Sequence, residues 1–233
     1  MIGEPIAWFF TTLRDALARA LLKLRITPNV LTVLGLAPAA LAGWFFWQGR
    51  FTAGAWVVIA SAAFDMLDGA VARLGDLKTP FGGILDSTVD RASDFLLFGG
   101  VALWFAFGEV PPHTPRTLYV VLTFVVLLGA FGTSYVRARA ECAIEKCHVG
   151  FWERGERIAA VIIAAFAGHI ETLIWVLAIF GIVTSVQRLA YAWMVVTRGA
   201  SHTDASERSP ALRFLLWEYP RLSPIYDVTT ALF

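Results

Sequence analysis

Residues 51–73 read FTAGAWVVIASAAFDMLDGAVAR, and residues 80–107 read PFGGILDSTVDRASDFLLFGGVALWFAF. The first is an apolar run, Phe51 to Phe64, that continues into Asp65 and Asp68. The second sets Asp86, Asp90 and Asp94 ahead of an apolar run from Phe95 to Phe107. Spacings of three and four residues put each acidic set on one face of a helix. An Asp near the middle of a membrane helix costs about 2.5–3.5 kcal/mol on insertion scales, so this many acids need compensation. Arg73, Lys78 and Arg91 can serve as ordinary helix-end partners for Asp76 and Asp94. They leave Asp65, Asp68, Asp86 and Asp90 in excess. Acids repeated on two consecutive apolar helices therefore mark a functional site rather than a solvated face.

The rest of the chain agrees with a membrane setting. Of 233 residues, 58% are hydrophobic and 16% charged, and the mean hydropathy is +0.65. Soluble domains run at about 45–50% apolar and about 25% charged. This composition excludes disorder. Two cysteines exclude a disulfide scaffold, and a net charge of +1 argues against broad nucleic-acid binding. Nine Trp and eighteen Phe suit interfacial aromatics. Six apolar runs predict six transmembrane helices: Val30 to Trp47, Phe51 to Phe64, Phe95 to Phe107, Leu118 to Tyr135, Ile158 to Ala167 and Leu173 to Val196. The expected fold is therefore an all-α integral membrane protein.

Basic residues orient it. Arg14, Arg19, Lys23, Arg25, Arg73, Lys78, Arg137, Arg139, Lys146, Arg154, Arg157 and the basic residues after Thr197 fall on one side of a six-span arrangement. Arg50 and Arg116 fall on the other. Both termini and the acids are then expected on the cytoplasmic side. Residues 1–28 read as a juxtamembrane amphipathic helix with Trp8, Phe9, Phe10, Leu13, Leu17 and Leu21 toward lipid. Thr27-Pro28 reads as an N-cap with proline at N1, opening a six-helix domain over 29–198. Residues 199–233 read as a cytoplasmic or interfacial tail. Cys142 and Cys147 read as reduced thiols in a cytoplasmic loop.

Two acidic faces joined by a short connection suit divalent cations. Clustered carboxylates favour hard ions such as Mg²⁺ or Mn²⁺, and no His or Cys lies nearby to favour zinc. Two such ions suit chemistry on phosphates. Gly69, Ala72, Gly82 and Gly83 are small, either to admit a bulky ligand or to pack helices. Arg73 can cap a diphosphate or serve the positive-inside rule. A divalent-cation channel or carrier is the alternative of a different class, since intramembrane acids also line ion paths. It predicts acids spread across the bilayer depth, whereas these cluster at one end of two helices.

Asp65-x-x-Asp68-Gly69-x-x-Ala72-Arg73, eight residues, then Gly82-x-x-x-Asp86-x-x-x-Asp90 resembles the signature of the CDP-alcohol phosphotransferase family at every defined position. The resemblance implies transfer of a substituted phosphate from a CDP-linked alcohol to a second alcohol, with release of CMP. It implies two divalent cations held by Asp65, Asp68, Asp86 and Asp90, with Asp90 also the general base. It implies a CDP site formed by Asp65, Asp68, Gly69, Ala72, Arg73 and Gly82, and a homodimer.

A second set of polar residues belongs to the same predicted side: Ser134, Arg137 and Arg139, then Glu153 to Arg157, then Gln187-Arg188 within the last span. An Arg inside an apolar span is expensive and is expected to face the bundle interior. Arginines suit a second phosphate. Leu85 to Asp94, Ser134 to Glu141, Glu153-Arg154-x-Glu156-Arg157 and Gln187-Arg188 resemble the phosphatidylinositol-phosphate synthase branch. That branch joins CDP-diacylglycerol, or an ether-lipid analogue in archaeal relatives, to inositol 1-phosphate. Its acceptor pocket would here use Ser134, Arg137, Arg157 and Arg188. Glycerol 3-phosphate is the rival acceptor, since it too offers a hydroxyl and a phosphate.

Overall fold

The computed structural model describes residues 3–145, 147, 149–150 and 152–198. The tail reading for 199–233 lies outside these, as do Lys146 and His148. Among the described residues there are eight helices and no strand. They are α1 (Gly3–Lys23), α2 (Pro28–Leu34), α3 (Leu36–Trp47), α4 (Phe51–Leu74), α5 (Pro80–Phe107), α6 (Arg116–Ala140), α7 (Arg154–Ala167) and α8 (Ile170–Arg198).

Four spans are long and apolar enough to cross a membrane: Pro28–Trp47, Phe51–Leu74, Arg116–Ala140 and Ile170–Thr197. Their outer faces are apolar. Trp56, Phe124, Leu128 and Trp193 are each about 60% exposed, which suits hydrocarbon and not water. The first span is two helices rather than one. Pro38 has no N–H for the Leu34 carbonyl and its ring crowds that carbonyl, so the helical ladder breaks at Gly35. Thr27 stands at the N-cap in an extended conformation with Pro28 at N1, but its side chain makes no capping bond. Thr79 does: its hydroxyl accepts from the Gly82 N–H at 3.0 Å and starts α5, with Pro80 at N1.

The chain divides into two compact units. The first comprises residues 1–123 and 160–170. In it α3 packs on α4 and α5, and α1 and α2 pack on α4. The α3–α5 crossing is close, because Gly43 and Gly100 meet backbone to backbone. A Cβ on Gly100 would lie 2.6 Å from the Gly43 carbonyl carbon and 2.8 Å from its Cα. The aromatic residues Phe46, Phe51, Trp104, Phe105 and Tyr119 pack in series at ring separations of 4.7–5.4 Å. On α1, Trp8, Leu13 and Leu17 are exposed as expected of an interfacial helix. Leu21 is not. It turns inward with Leu22 onto buried Ala18, Leu31, Ala70 and Val71, because α1 has a second apolar face against α4. The Phe9 and Phe10 side chains lie outside the described set.

The second unit comprises, among the described residues, 124–159 and 171–198. Here α6 and α8 meet at Gly129 and Gly181, where a Cβ on Gly129 would lie 2.9 Å from the Gly181 carbonyl carbon. The Ser185 hydroxyl bridges the same contact to the Gly129 carbonyl at 3.2 Å. Small residues with a hydroxyl across the seam are a common way for apolar helices to associate. Cys142 and Cys147 are both free thiols, Cys147 being buried among Ala140, Val149, Tyr191, Met194 and Val195.

Candidate active site

The acids expected on two helix faces sit where the spacing puts them. Asp65, Asp68, Gly69, Ala72 and Arg73 belong to the last turns of α4. Gly82, Asp86 and Asp90 belong to the first turns of α5. Of these, Asp68, Gly69, Ala72, Gly82 and Asp86 line one cavity of about 290 Å³. Asp68 is only 6% exposed, and the negative charges of Asp86 and Asp65 both act on it. Asp90 stands one turn beyond Asp86, with Arg91 3.6 Å from its carboxylate. The Arg91 guanidinium is held in place by the Ser87 carbonyl.

The cavity also separates the two readings of the small residues. Gly43 and Gly100 are packed against backbone, whereas a Cβ on the motif Gly82 would meet side-chain atoms, Thr79 Oγ1 at 3.1 Å and Asn29 Oδ1 at 3.4 Å. A Cβ on Gly83 would meet nothing within 4 Å, and one on Gly69 would meet only the tip of the Arg73 side chain, at 3.2 Å. These glycines leave room for a ligand, and Arg73 folds its guanidinium back over Gly69. The sequence reading missed six wall residues, four of them polar: Asn29 and Thr32 from α2, and Lys78 and Thr79 from the α4–α5 connection. Proline at N1 marked where α2 starts. Nothing in the sequence showed that this first turn stands over an acid 36 residues away.

Thr32 approaches Asp68 Oδ2 at 2.6 Å and the Pro28 carbonyl at 3.0 Å. A hydroxyl has one proton, and the shorter bond, to an ionised acceptor, is the stronger use of it. That bond fixes the Asp68 carboxylate toward the cavity. Thr32→Val keeps the shape and removes the donor. Loss of one hydrogen bond to a charged group is worth about 1.5–3 kcal/mol. The expected result is a fall of at least about tenfold in kcat/KM for the donor that the sequence resemblance implies, read from release of its nucleotide. Unchanged kinetics would remove Thr32 from the site.

The donor set suits hard divalent cations. It consists of carboxylates with hydroxyl and amide oxygens, on the wall of a cavity large enough for a ligand. Among the described residues no three His, Cys, Asp or Glu side chains close on a single point as a finished metal site.

In the second unit, Ser134, Arg137, Arg157 and Arg188 have different surroundings. Arg137 pairs with Glu141 at 3.0 Å, and Ser134 donates to the Ala130 carbonyl at 3.2 Å. Arg157 is buried at 5% exposure on the first turn of α7. That helix opens with the Glu156 carboxylate accepting from the Glu153 N–H at 3.0 Å. Arg188 does face the interior, but it is occupied there. Its Nε donates to the Val149 carbonyl at 2.9 Å and its Nη1 to the Thr133 carbonyl at 2.7 Å, with Glu153 3.7 Å from Nη2. It ties α8 to α6 and to the loop before α7.

Described residues that form helices and no strand, with apolar spans and a carboxylate-walled cavity beside Lys78 and Arg73, define a membrane protein built to handle a phosphate-bearing ligand. A profile of the family described as CDP-alcohol phosphatidyltransferase matches residues 25–203. The chain belongs to the CDP-alcohol phosphatidyltransferase family and is a transferase. It is 37% identical over 195 residues to phosphatidylinositol phosphate synthase of Mycobacterium tuberculosis, covering 79% of this chain and 87% of that one. It is 36% identical over 178 residues to archaetidylinositol phosphate synthase of Pyrococcus horikoshii, covering 75% and 88%. Among solved structures, the Mycobacterium tuberculosis synthase with CDP-DAG bound matches with a TM-score of 0.71 at 35% identity, covering 78% of this chain and 94% of that one. The same synthase in complex with manganese and citrate matches with a TM-score of 0.69, also at 35% identity, covering 77% and 88%. Membership in a transferase family sets aside the ion-path alternative.

Proposed function

We propose that this enzyme transfers the phosphatidyl group of CDP-diacylglycerol, or of its ether-lipid analogue, to the hydroxyl of inositol 1-phosphate, releasing CMP. The observation that carries this reading is the identity of more than a third, over three quarters of the chain, to synthases of inositol-phosphate lipids. The cavity walled by Asp68, Gly69, Ala72, Lys78, Gly82 and Asp86 receives the donor. Gly69 and Gly83 leave space for its bulk, and Lys78 and Arg73 offset the charge of its diphosphate. Asp65, Asp68, Asp86 and Asp90 would hold two divalent cations, Mg²⁺ or Mn²⁺. Bound there, the cations would neutralise the diphosphate and stabilise the oxygen that leaves with CMP.

The remaining work falls to side chains. Thr32 orients the Asp68 carboxylate. Asp90, with Arg91 3.6 Å from its carboxylate, takes the proton of the attacking hydroxyl. The acceptor oxygen forms a bond to the phosphorus that carries the lipid. The bond from that phosphorus to the bridging oxygen breaks, and CMP departs with the electron pair. Ser134, Arg137 and Arg157 bind the acceptor phosphate, with Arg188 holding the strands of backbone from which they project.

Six crossings support one sidedness for these groups. With four spans alone, Arg137, Arg139, Arg154 and Arg157 would face the side opposite Arg73 and Lys78. Crossing also by α5 and α7 brings all of them, and both termini, to the cytoplasmic face. At 28 residues α5 is about 42 Å long, enough to cross with its acidic end outside the hydrocarbon. We infer a homodimer on the family resemblance.

The test is CMP release by detergent-purified protein with Mg²⁺ or Mn²⁺ and CDP-diacylglycerol, with each acceptor offered separately. Release with inositol 1-phosphate, and none with glycerol 3-phosphate, serine or free inositol, is expected. Release with glycerol 3-phosphate alone would replace the acceptor assignment.

A further inference from the structure

A second cavity, of about 590 Å³, lies at the opposite ends of the helices that carry the acids. It is lined by Trp47, Gln48 and Gly49 at the end of α3, and by Trp104, Phe107, Gly108 and Glu109 at the end of α5. Asp86 and Phe107 are 21 residues apart on α5, which is about 32 Å of helix and close to the thickness of a bilayer core. This cavity therefore opens at the far membrane interface, away from the site described above.

Its walls are a built arrangement. Gly49 has φ +72°, a conformation that favours glycine, and a Cβ there would lie 2.9 Å from the Trp104 indole nitrogen. A Cβ on Gly108 would run into the same indole. Phe51 meets the Trp104 ring edge-on at 4.7 Å. Trp104 is thus boxed between two glycines and a phenylalanine, and its position in the wall is set by packing. Trp47 and Phe107 supply two further aromatic walls. The lining carries one full charge, the carboxylate of Glu109, and no basic side chain. Arg50, the nearest cation in sequence, is held over the Phe45 ring at 5.3 Å and does not line the cavity. Among the described residues the Arg116 guanidinium is likewise engaged, with the carbonyls of Phe105 and Ala106.

Aromatic side chains lining a cavity with a lone carboxylate suit organic ammonium groups, through the ring quadrupoles and the opposite charge. The volume falls in the range of small-ligand pockets. We propose that this cavity binds the ammonium head group of a zwitterionic membrane lipid, with Glu109, Trp47 and Trp104 as its cage. A lipid is favoured over a free amine because the mouth sits at the interface, where lipid ammonium groups are concentrated. Gln48, in the lining, offers a polar group to the lipid phosphate.

The experiment is native mass spectrometry of the delipidated full-length protein, titrated with phosphatidylethanolamine, phosphatidylglycerol of the same chains, or free ethanolamine. One phosphatidylethanolamine per chain is expected to bind about tenfold more tightly than phosphatidylglycerol. Glu109→Gln should remove that preference while the melting temperature is unchanged. Trp47→Leu, at an exposed position, should weaken phosphatidylethanolamine about tenfold and serves as a second variant should Glu109→Gln fail to fold. Equal binding of the two lipids, a preference that survives both substitutions, or binding of free ethanolamine without any preference between the lipids would overturn the proposal.

Discussion

Asp90→Asn is expected to lower CMP release by about 10²–10⁴-fold, the range that a positioned general base contributes. The substitution keeps the volume and the hydrogen-bonding shape of the side chain and removes its capacity to take a proton. Asp90 lies one helical turn from Asp86, outside the lining of the donor cavity, and as one of four proposed cation ligands its loss should raise the donor's KM less than it lowers kcat. The loss should fall on kcat, the pattern for an interaction made only as the reaction proceeds. Asp90→Glu should recover part of the rate. A fully active Asp90→Asn variant would exclude proton transfer to this residue. A large rise in donor KM with kcat retained would instead make it a binding group.

The second large effect concerns folding. Gly100→Ala places a methyl group against the backbone of Gly43, which cannot turn aside as a side chain could. Overpacking usually costs about 1–3 kcal/mol even where side chains can adjust. Here α3 and α5 must separate along the whole crossing. A marked drop in melting temperature in detergent, or failure to recover folded protein, is expected. Gly99→Ala is the internal control, since a Cβ there would meet nothing within 4 Å. It should be neutral or stabilising, because alanine favours the helix by up to about 1 kcal/mol over glycine. Equal behaviour of the two variants would show that the close contact does not set the helix spacing.

These two expectations also mark what the sequence could convey. The acids, their helix faces and the small residues among them were legible because spacing within one helix is a local property. So were the apolar runs, although α5 and α7 fall outside a simple measure of length and apolarity. One carries its acids in its first half, and the other has 14 residues. The partners across helices were not legible. Thr32 reaches Asp68 across 36 residues, and Arg188 reaches carbonyls 39 and 55 residues away. The burial of Arg188 followed from its place in an apolar span. Its use as a tie between backbones did not, because carbonyl acceptors are present at every residue and leave no mark in composition. Gly43 and Gly100 were likewise indistinguishable in the sequence from Gly69 and Gly83. Only the neighbouring helix shows which glycines meet backbone and which face open space.

The Gly43–Gly100 crossing has a mechanical meaning as well as a structural one. Two backbones in direct contact resist being pressed closer but offer little resistance to rotation about the point where they touch. That point is a fulcrum. It stands 14 residues from Asp86 and 7 from Phe107, so it divides α5 into arms of about 21 Å and about 10 Å. For a stiff helix the ratio of the arms is a gain of about two. A tilt that displaces the short arm by half an ångström carries the acidic end through about one ångström in the opposite direction. Reaction geometry tolerates errors of that size poorly. A tilt of α5 about the glycine crossing would therefore move its acidic end about twice as far as its Phe107 end.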